Sequence, residues 1–273
     1  MSRRLDPELC AALKKLRLGP IIDTLPERIA MAEKDAVPFE DLLLVVLTDE
    51  VSRRQSTAAM RRAQEAGLEP DMVSERWDPT AKVHFDRRLY AELQSLRFVA
   101  AQQNVLILGP VGVGKTFLAS TLGHLACHAA FQVRFTRADA LLRQLRRSRL
   151  DNSRDALMAQ LCSVDMLIID DFALEPMNRD ESRDVYQLLV ERNARASTVI
   201  TSNRDTAEWL AVFDDALLAQ SAVDRFKNNA FDLVIEGESY RSRLKPKPYV
   251  DGHLPVAPVV KRPPSPRTRR LRW

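Results

Sequence analysis

The chain has 273 residues, of which 45% are hydrophobic and 29% are charged, enough for one well-packed core with a smaller appended domain. No stretch approaches the 18 apolar residues of a membrane-spanning helix, which argues against a membrane protein and predicts a soluble one without a membrane partner. Its three scattered cysteines, Cys10, Cys127 and Cys162, do not fit a disulfide framework and favour the reducing cytoplasm.

The positive charge is concentrated at the C-terminal end of the chain, although the formal net charge is only +4. From Arg241 onward there are ten basic residues and one acidic residue, whereas residues 1–240 contain 31 basic and 36 acidic residues. Residues 245–273 are rich in proline and basic side chains, which predicts a largely disordered tail. Such a tail is compatible with binding to nucleic-acid phosphates and equally with a purely solvated role.

Residues 1–70 are predicted to form a small all-α N-terminal domain. Apolar residues recur at helical spacing between Leu9 and Leu16, and a longer helix follows Pro38. Gly67 and Pro70 end this unit, and residues 71–103 are predicted to be a connector. The helices are compatible with assembly, with DNA or partner binding, and with a plain helical domain.

From Asn104 onward, short β-branched runs alternate with helical segments. The runs are VLIL, QVRFT, MLIID, STVITS and FDLVIE. Strands that alternate with helices are typical of βαβ units, so residues 104–244 are predicted to form an α/β domain with a parallel sheet flanked by helices.

The first of these strands leads into GPVGVGKT, residues 109–116, which matches the phosphate-loop pattern in full. Backbone N–H groups of such a loop and the N-terminus of the following helix bind phosphate oxygens. Lys115 is predicted to contact the β- and γ-phosphates, and Thr116 to offer its hydroxyl to Mg²⁺. The predicted nucleotide-binding residues are Gly109, Pro110, Val111, Gly112, Val113, Gly114, Lys115, Thr116 and Phe117.

Two adjacent acids end the apolar run in VDMLIIDDF. In phosphate-loop NTPases an acid at this sheet edge holds Mg²⁺, so Asp170 is predicted to bind the metal together with Thr116. A second acid can orient or deprotonate the attacking water, which is the role predicted for Asp171.

Two further polar residues have an ordinary structural interpretation as well as a catalytic one. Asn203 follows the strand STVITS at the same sheet edge, where it can contact the attacking water or form a simple turn. Arg225 lies near the end of a predicted helix, where it can stabilise charge on a neighbour's γ-phosphate or remain a surface arginine.

Taken together, these motifs resemble the IstB family, the ATP-binding helper proteins of insertion-sequence transposition. That family is close to the DnaC-type helicase loaders within the AAA+ ATPases. The resemblance covers nearly the whole predicted folded length, and it rests on four stretches, HFDRRLYAELQSLRFVAAQQNVLILGPVGVGKTFLA, MLIIDDFALEPM, TVITSNRDTAEW and GESYRSR.

The resemblance implies an AAA+ P-loop NTPase core with Lys115, Asp171, Asn203 and Arg225 as catalytic residues. Asn203 would be the sensor and Arg225 a finger acting on the next subunit of a head-to-tail homo-oligomer, either a ring or a helix. It further implies ATP and Mg²⁺ as cofactors, with double-stranded DNA and the transposase of the same element as partners. Val111 stands where proline is common in the family and Ala173 where glycine is frequent, and neither change removes a catalytic group.

Arginines are dense in the segment between the second and third predicted strands. Three of them, Arg143, Arg146 and Arg147, are predicted either to contact DNA phosphates or to form a solvated helix face.

The alternative function is a DnaC-like helicase loader acting on single-stranded DNA, and the connector sequence HFDRRLYAELQSLRFV favours the transposition branch. Whether Arg241 contacts the nucleotide is left open by the sequence. A phosphoryl-transferring kinase is disfavoured because no acceptor signature is present.

Overall fold

A computed structural model describes residues 5–240 of the chain. The predicted tail and Arg241 lie outside the described residues. Within residues 5–240, no helix is both long enough and apolar enough to cross a membrane.

The described residues form helices and short strands that alternate from residue 104 onward. The helices are α1 (Pro7–Lys15), α2 (Ile21–Lys34), α3 (Phe39–Ala66), α4 (Arg87–Gln94), α5 (Arg97–Ala100), α6 (Lys115–His128), α7 (Ala138–Leu150), α8 (Arg154–Ser163), α9 (Arg179–Arg192), α10 (Thr206–Trp209) and α11 (Ala216–Lys227), with a 3₁₀ helix at Ser74–Arg76. The strands are β1 (Val83–His84), β2 (Asn104–Leu108), β3 (Val133–Arg137), β4 (Met166–Phe172), β5 (Ser197–Ser202), β6 (Ala230–Val234) and β7 (Glu236–Gly237).

Five strands form one parallel sheet in the order β3-β4-β5-β2-β6, and β1 pairs with β7 in a separate antiparallel ribbon. Strand β5 lies inside the sheet and is buried along its whole length, whereas the edge strands β3 and β6 are only partly buried. The predicted α/β class, with a parallel sheet flanked by helices and preceded by an all-α segment, is confirmed.

Helices cover both faces of this sheet. Because successive strand residues point to opposite faces, Ile107 and Ile168 join a core with α3, α4, α5 and α6. Leu106 and Ile169 join a second core with α7, α8, α9 and α11. The near-continuous apolar runs of the central strands reflect this burial on both sides.

The carboxyl ends of the parallel strands meet at one edge of the sheet. There, β2 has β5 and β6 as its neighbours, while β3, the next sheet strand along the chain, lies at the far edge of the sheet. A crevice at such a change of strand order is where open α/β sheets bind ligands. The loop after β2, the end of β4 and the end of β5 all meet at this edge.

The long helix α3 connects the N-terminal helices to the sheet domain. Its C-terminal part packs on α6 through Ala63 and Ala66, and Arg62 Nε donates a hydrogen bond to Cys127 O at 2.8 Å. Gly67 ends the helix in a left-handed conformation with φ 80°. The segment predicted as a connector is also part of the core, because Leu93 of α4 and Phe98 of α5 are buried.

Candidate nucleotide-binding site

The loop between β2 and α6 has a backbone that only glycine adopts easily. Gly112 has φ 86° and Gly114 has φ 102°, values in the left-handed region that strain other residues. A Cβ on Gly114 would also lie 3.1 Å from the Trp77 ring. Glycine at these positions fits a loop whose backbone N–H groups bind phosphate oxygens.

Lys115 is the first residue of α6, and its side chain folds back over the loop. Its Nζ donates hydrogen bonds to Gly109 O at 2.7 Å and to Pro110 O at 2.8 Å, and the residue is only 6% exposed. The carbonyls of Gly109 and Pro110 therefore hold the ammonium group against the loop.

The two predicted metal ligands are in direct contact. Thr116 Oγ1 donates to Asp170 Oδ1 at 2.9 Å and lies 3.0 Å from Oδ2. The hydroxyl at the start of α6 and the carboxylate at the end of β4 therefore lie side by side. A hydroxyl and a carboxylate are the hard ligands that this ion prefers, so the pair fits the metal that the family resemblance implies.

Asp170 is buried at the end of β4, with 3% exposure. Burial raises the pKa of this carboxyl, and the hydrogen bond that Thr201 Oγ1 donates at 2.6 Å works in the opposite direction. The remaining upward shift of the pKa means that the surroundings do not fully compensate the carboxylate charge, so a bound cation would stabilise it. The sequence alone did not point to Thr201, although it lies near the carboxyl end of β5, two residues before Asn203.

Asp171 faces a different way from Asp170 because β4 is irregular at its end. The register between β4 and β5 shifts between Ile169 and Phe172, and Asp171 has φ 55°. Its backbone N–H donates to Thr201 Oγ1 at 3.0 Å. Such irregularities redirect side chains next to functional sites, and here the redirected carboxylate lines the cleft beside the loop.

The cleft above the loop has a volume of about 430 Å³. Asp171 and Asn203 line it together with the predicted loop residues from Val111 to Phe117. Gly109 and Pro110 are not among its lining residues. Their carbonyl oxygens instead accept hydrogen bonds from Lys115 Nζ. The cleft therefore brings Lys115, Thr116, Asp171 and Asn203 to one place, with Asp170 behind Thr116.

The segment before α4 supplies one wall of the cleft, which sequence analysis did not foresee. Its lining residues are Met72, Arg76, Trp77, Asp78 and Ala81. The indole of Trp77 packs against Phe117, with ring centroids 5.3 Å apart, and against Phe85 at 6.1 Å. Nothing in the sequence pattern placed Trp77 near the phosphate loop, because Trp77 precedes Gly109, the first residue of the loop, by 32 residues.

Arg225 lies apart from this cleft, on the exposed side of α11. Its Nη1 donates to Tyr186 Oη at 3.3 Å, and its guanidinium lies 5.9 Å from the centre of the Tyr186 ring. It is not among the residues that line the cleft of its own chain.

The three arginines predicted to contact DNA are exposed on α7. Two of them form ion pairs, Arg143 with Asp139 at 2.9 Å and Arg146 with Glu181 at 3.2 Å. The side chain of Arg147 forms no hydrogen bond or ion pair within the described range 5–240.

Residues 11–248 match the family described as IstB-like ATP binding protein. The chain belongs to this family. It is 33% identical over 240 residues to an insertion sequence IS21 protein of Pseudomonas aeruginosa whose name describes ATP binding, covering 88% of this chain and 91% of the relative. A Mycobacterium tuberculosis relative, named for ATP binding in an insertion sequence, is 32% identical over 88% of this chain and 96% of its own length.

Solved structures place this member of the IstB-like family in the AAA+ fold. The replication initiator DnaA bound to AMPPCP and single-stranded DNA superposes with a TM-score of 0.51 at 20% identity, over 63% of this chain and 51% of the DnaA chain. The DnaC helicase loader gives a TM-score of 0.50 at 15% identity, over 64% of this chain and 98% of the loader. At these identities the likeness establishes the fold alone.

Proposed function

We propose that this IstB-like chain binds ATP with Mg²⁺ in the cleft and hydrolyses it to ADP and phosphate. The observation that carries the proposal is the contact of Thr116 with the buried Asp170 directly beneath the phosphate loop. When bound, Mg²⁺ would neutralise charge on the β- and γ-phosphate oxygens.

In this proposal each polar residue of the cleft has a separate task. Loop N–H groups and Lys115 bind the phosphates, and Thr116 and Asp170 hold the metal, directly or through water. Asp171 accepts a proton from the attacking water, and Asn203 orients that water or the γ-phosphate. The contrast between the buried Asp170 and the cleft-facing Asp171 supports the division between metal ligand and base.

We further propose that the chain oligomerises on duplex DNA in the cytoplasm and assists the transposase of the same insertion element. The names of the relatives, which refer to ATP binding in insertion sequences, support this context. ATP binding would close subunit contacts on DNA, and hydrolysis would release them. The alternative is a helicase loader acting on single-stranded DNA. The fold that the chain shares with the DnaC helicase loader supports this alternative.

Electron microscopy and mobility-shift assays on matched duplex and single-stranded DNA distinguish these functions. We expect ATP-dependent oligomers on duplex DNA that disappear in Lys115→Ala and without ATP. A preference for single strands, or assembly only when a replicative helicase is added, would instead support the loader.

Arg225 is expected to act on the nucleotide of a neighbouring subunit, since it does not line its own cleft. The neighbouring Leu217 on α11 is 78% exposed, which is consistent with burial in an interface. Arg225→Ala should lower turnover by about 10³-fold, whereas Arg195→Ala, on an exposed turn, should not.

Mixing two inactive variants tests this action between subunits directly. In a one-to-one mixture of Arg225→Ala with Asp171→Asn, about a quarter of head-to-tail interfaces combine an intact cleft with an intact finger. Turnover in the mixture should therefore recover to about a quarter of the wild-type value. No recovery in oligomers shown to contain both variants would contradict a finger acting in trans.

Arg143, Arg146 and Arg147 are expected to bind DNA phosphates, and Arg143 and Arg146 would exchange their carboxylate partners for phosphates. Replacing all three with Gln should reduce the slope of log affinity against log salt by about 2 to 3, because each phosphate contact contributes about 0.9. A triple Gln variant of the exposed Arg88, Arg97 and Arg195 is the matched control. Equal slopes for the two triple variants would rule out this interface.

A further inference from the structure

The first half of α3 carries a stripe of apolar side chains that are exposed to solvent. Phe39, Leu43 and Leu47 recur at every fourth position and so lie along one side of the helix. They are 75%, 45% and 42% exposed, and Leu44 beside them is 64% exposed. Exposed apolar patches of this kind mark surfaces that another segment binds.

Acidic residues accompany this stripe. Residues 21–49 contain seven acidic and two basic residues. Glu40 and Asp41 belong to the first turn of α3, and residues three or four apart on a helix are neighbours, so both carboxylates lie beside the apolar side chains. Both are exposed, and neither forms an ion pair within the described range 5–240. The buried Glu50 further along the helix is, in contrast, paired with Arg53.

The charge limits what can cover this part of the helix. The apolar and acidic residues together form the α3 surface, which consists of Phe39, Glu40, Asp41, Leu43, Leu44 and Leu47. Two copies of the α3 surface laid on each other would bring together four carboxylates and no cation, and a nucleic acid would add phosphates to the same carboxylates. Both arrangements are repulsive. The α3 surface therefore fits a segment that joins apolar residues to positive charge.

The C-terminal part of the chain has this composition. Residues 254–273, LPVAPVVKRPPSPRTRRLRW, are the C-terminal segment and contain six basic residues and no acidic residue. Apolar residues and prolines fill positions 254–260, directly before the first two basic residues. Proline also limits the conformational entropy that a segment loses when it binds in an extended form. The segment thus complements the α3 surface in both apolar character and charge.

The C-terminal segment can reach the α3 surface of its own copy. The backbone N–H of Tyr240 donates to Gly112 O at 2.8 Å, close to the start of α6, and α3 contacts the other end of α6 at Arg62. The path along α6, across to α3 and back to Leu47 is about 50 Å, from helix rise and helix spacing. Residues 241–260 would span about 62 Å even at the rise of a polyproline II helix.

We propose that the C-terminal segment docks on the α3 surface of the same copy, with residues 254–260 on the apolar stripe and the basic residues beside Glu40 and Asp41. Because segment and surface belong to one chain, the effective concentration of the segment is about millimolar, and weak contacts suffice to hold it. The docked basic side chains are not available to nucleic-acid phosphates. The inference goes beyond the proposed function and does not depend on ATP binding or hydrolysis.

Photocrosslinking in the full-length chain tests the docking. With benzoylphenylalanine in place of Leu44, irradiation should join this position to residues 254–273, and mass spectrometry of the digested protein identifies the joined peptides. In a mixture of isotopically light and heavy chains, each crosslink should join peptides of the same isotope. Ala58 is the matched control position, because it is exposed on the same helix outside the α3 surface, and it should not capture the segment.

Charge and salt should change the crosslinked fraction. Glu40→Gln with Asp41→Asn should lower it about fivefold, the effect of losing two exposed ion pairs, whereas Asp155→Asn with Asp214→Asn, at exposed positions of the sheet domain, should not. Added salt should lower the fraction by screening. An excess of duplex DNA should also lower it, because phosphates compete for the same basic side chains.

The other outcomes would overturn the proposal. Crosslinks from Leu44 to α2 or α3 of a second copy would show that the α3 surface joins two copies. Crosslinks that join light and heavy chains would place the segment on a neighbouring copy. No crosslink to residues 254–273, equal capture from Ala58, or a fraction unchanged by Glu40→Gln with Asp41→Asn or by duplex DNA would also contradict it. Lys115→Ala should crosslink as the wild type does, so failure of the proposed ATPase is distinguishable from failure of the docking.

Discussion

Asp171→Asn is expected to lower ATP turnover by about 10²- to 10⁴-fold, the usual contribution of a general base. Asparagine has nearly the same shape but accepts no proton, so water attack would lose its base while the cleft stays intact. Because Asp171 stands beside the loop and does not touch Thr116, ATP should still bind within about threefold of the wild-type affinity. Steady-state phosphate release and binding of a fluorescent ATP analogue measure the two quantities.

The control for this substitution is Asp155→Asn on α8, whose side chain is 97% exposed. It removes the same charge far from the cleft and should change neither turnover nor binding. Near-normal turnover in Asp171→Asn would show that another group activates the water. Loss of ATP binding would instead indicate that Asp171 is a metal ligand, and would contradict its assignment as the base.

Lys115→Ala is expected to lower ATP turnover by at least about a hundredfold and also to weaken ATP binding. Lysine is the cation that this loop type places on the β- and γ-phosphates, and a charged donor aimed at transferring phosphoryl oxygens contributes several kcal/mol. Binding and turnover should fall together, which separates this variant from Asp171→Asn. Isothermal titration with ATP and phosphate release are the measurements.

Lys115 is also buried against two loop carbonyls, so alanine could disturb the loop itself. Lys115→Met keeps the apolar length of the side chain and removes only the ammonium group. If Lys115→Ala and Lys115→Met both unfold at the wild-type temperature and both lose ATP binding, the loss of binding is caused by removal of the positive charge. Lys34→Ala on α2 is the matched surface control, and retained ATP binding in Lys115→Met would contradict the assigned role.

Much of the cleft followed from local sequence signals. The order strand, glycine-rich loop and helix located Lys115 and Thr116, and the end of an apolar strand located Asp170. Parallel strands place their carboxyl ends at one edge, so Asn203 was also expected there. Thr201 was within reach of the same argument, because it lies near the carboxyl end of β5.

Other parts of the cleft had no local signal. Trp77 reaches the loop because the segment before α4 folds across the start of α6, and that contact joins residues far apart along the chain. The direction of Asp171 depends on the register shift at the end of β4. The sequence DDF shows two acids, and only the shifted backbone sends one toward Thr116 and the other into the cleft.

The sequence by itself determined the α/β class, the phosphate loop and the family, because periodicity and short motifs depend on neighbours along the chain. The tertiary structure decided the strand order β3-β4-β5-β2-β6, the packing of α3 and the segment before α4 onto the core, and the position of Arg225 outside its own cleft. It also decided that Arg137 lies between Asp171 and Asp139. These features depend on contacts between distant segments, whose geometry is set by packing on the two faces of the sheet and has no counterpart in local pattern.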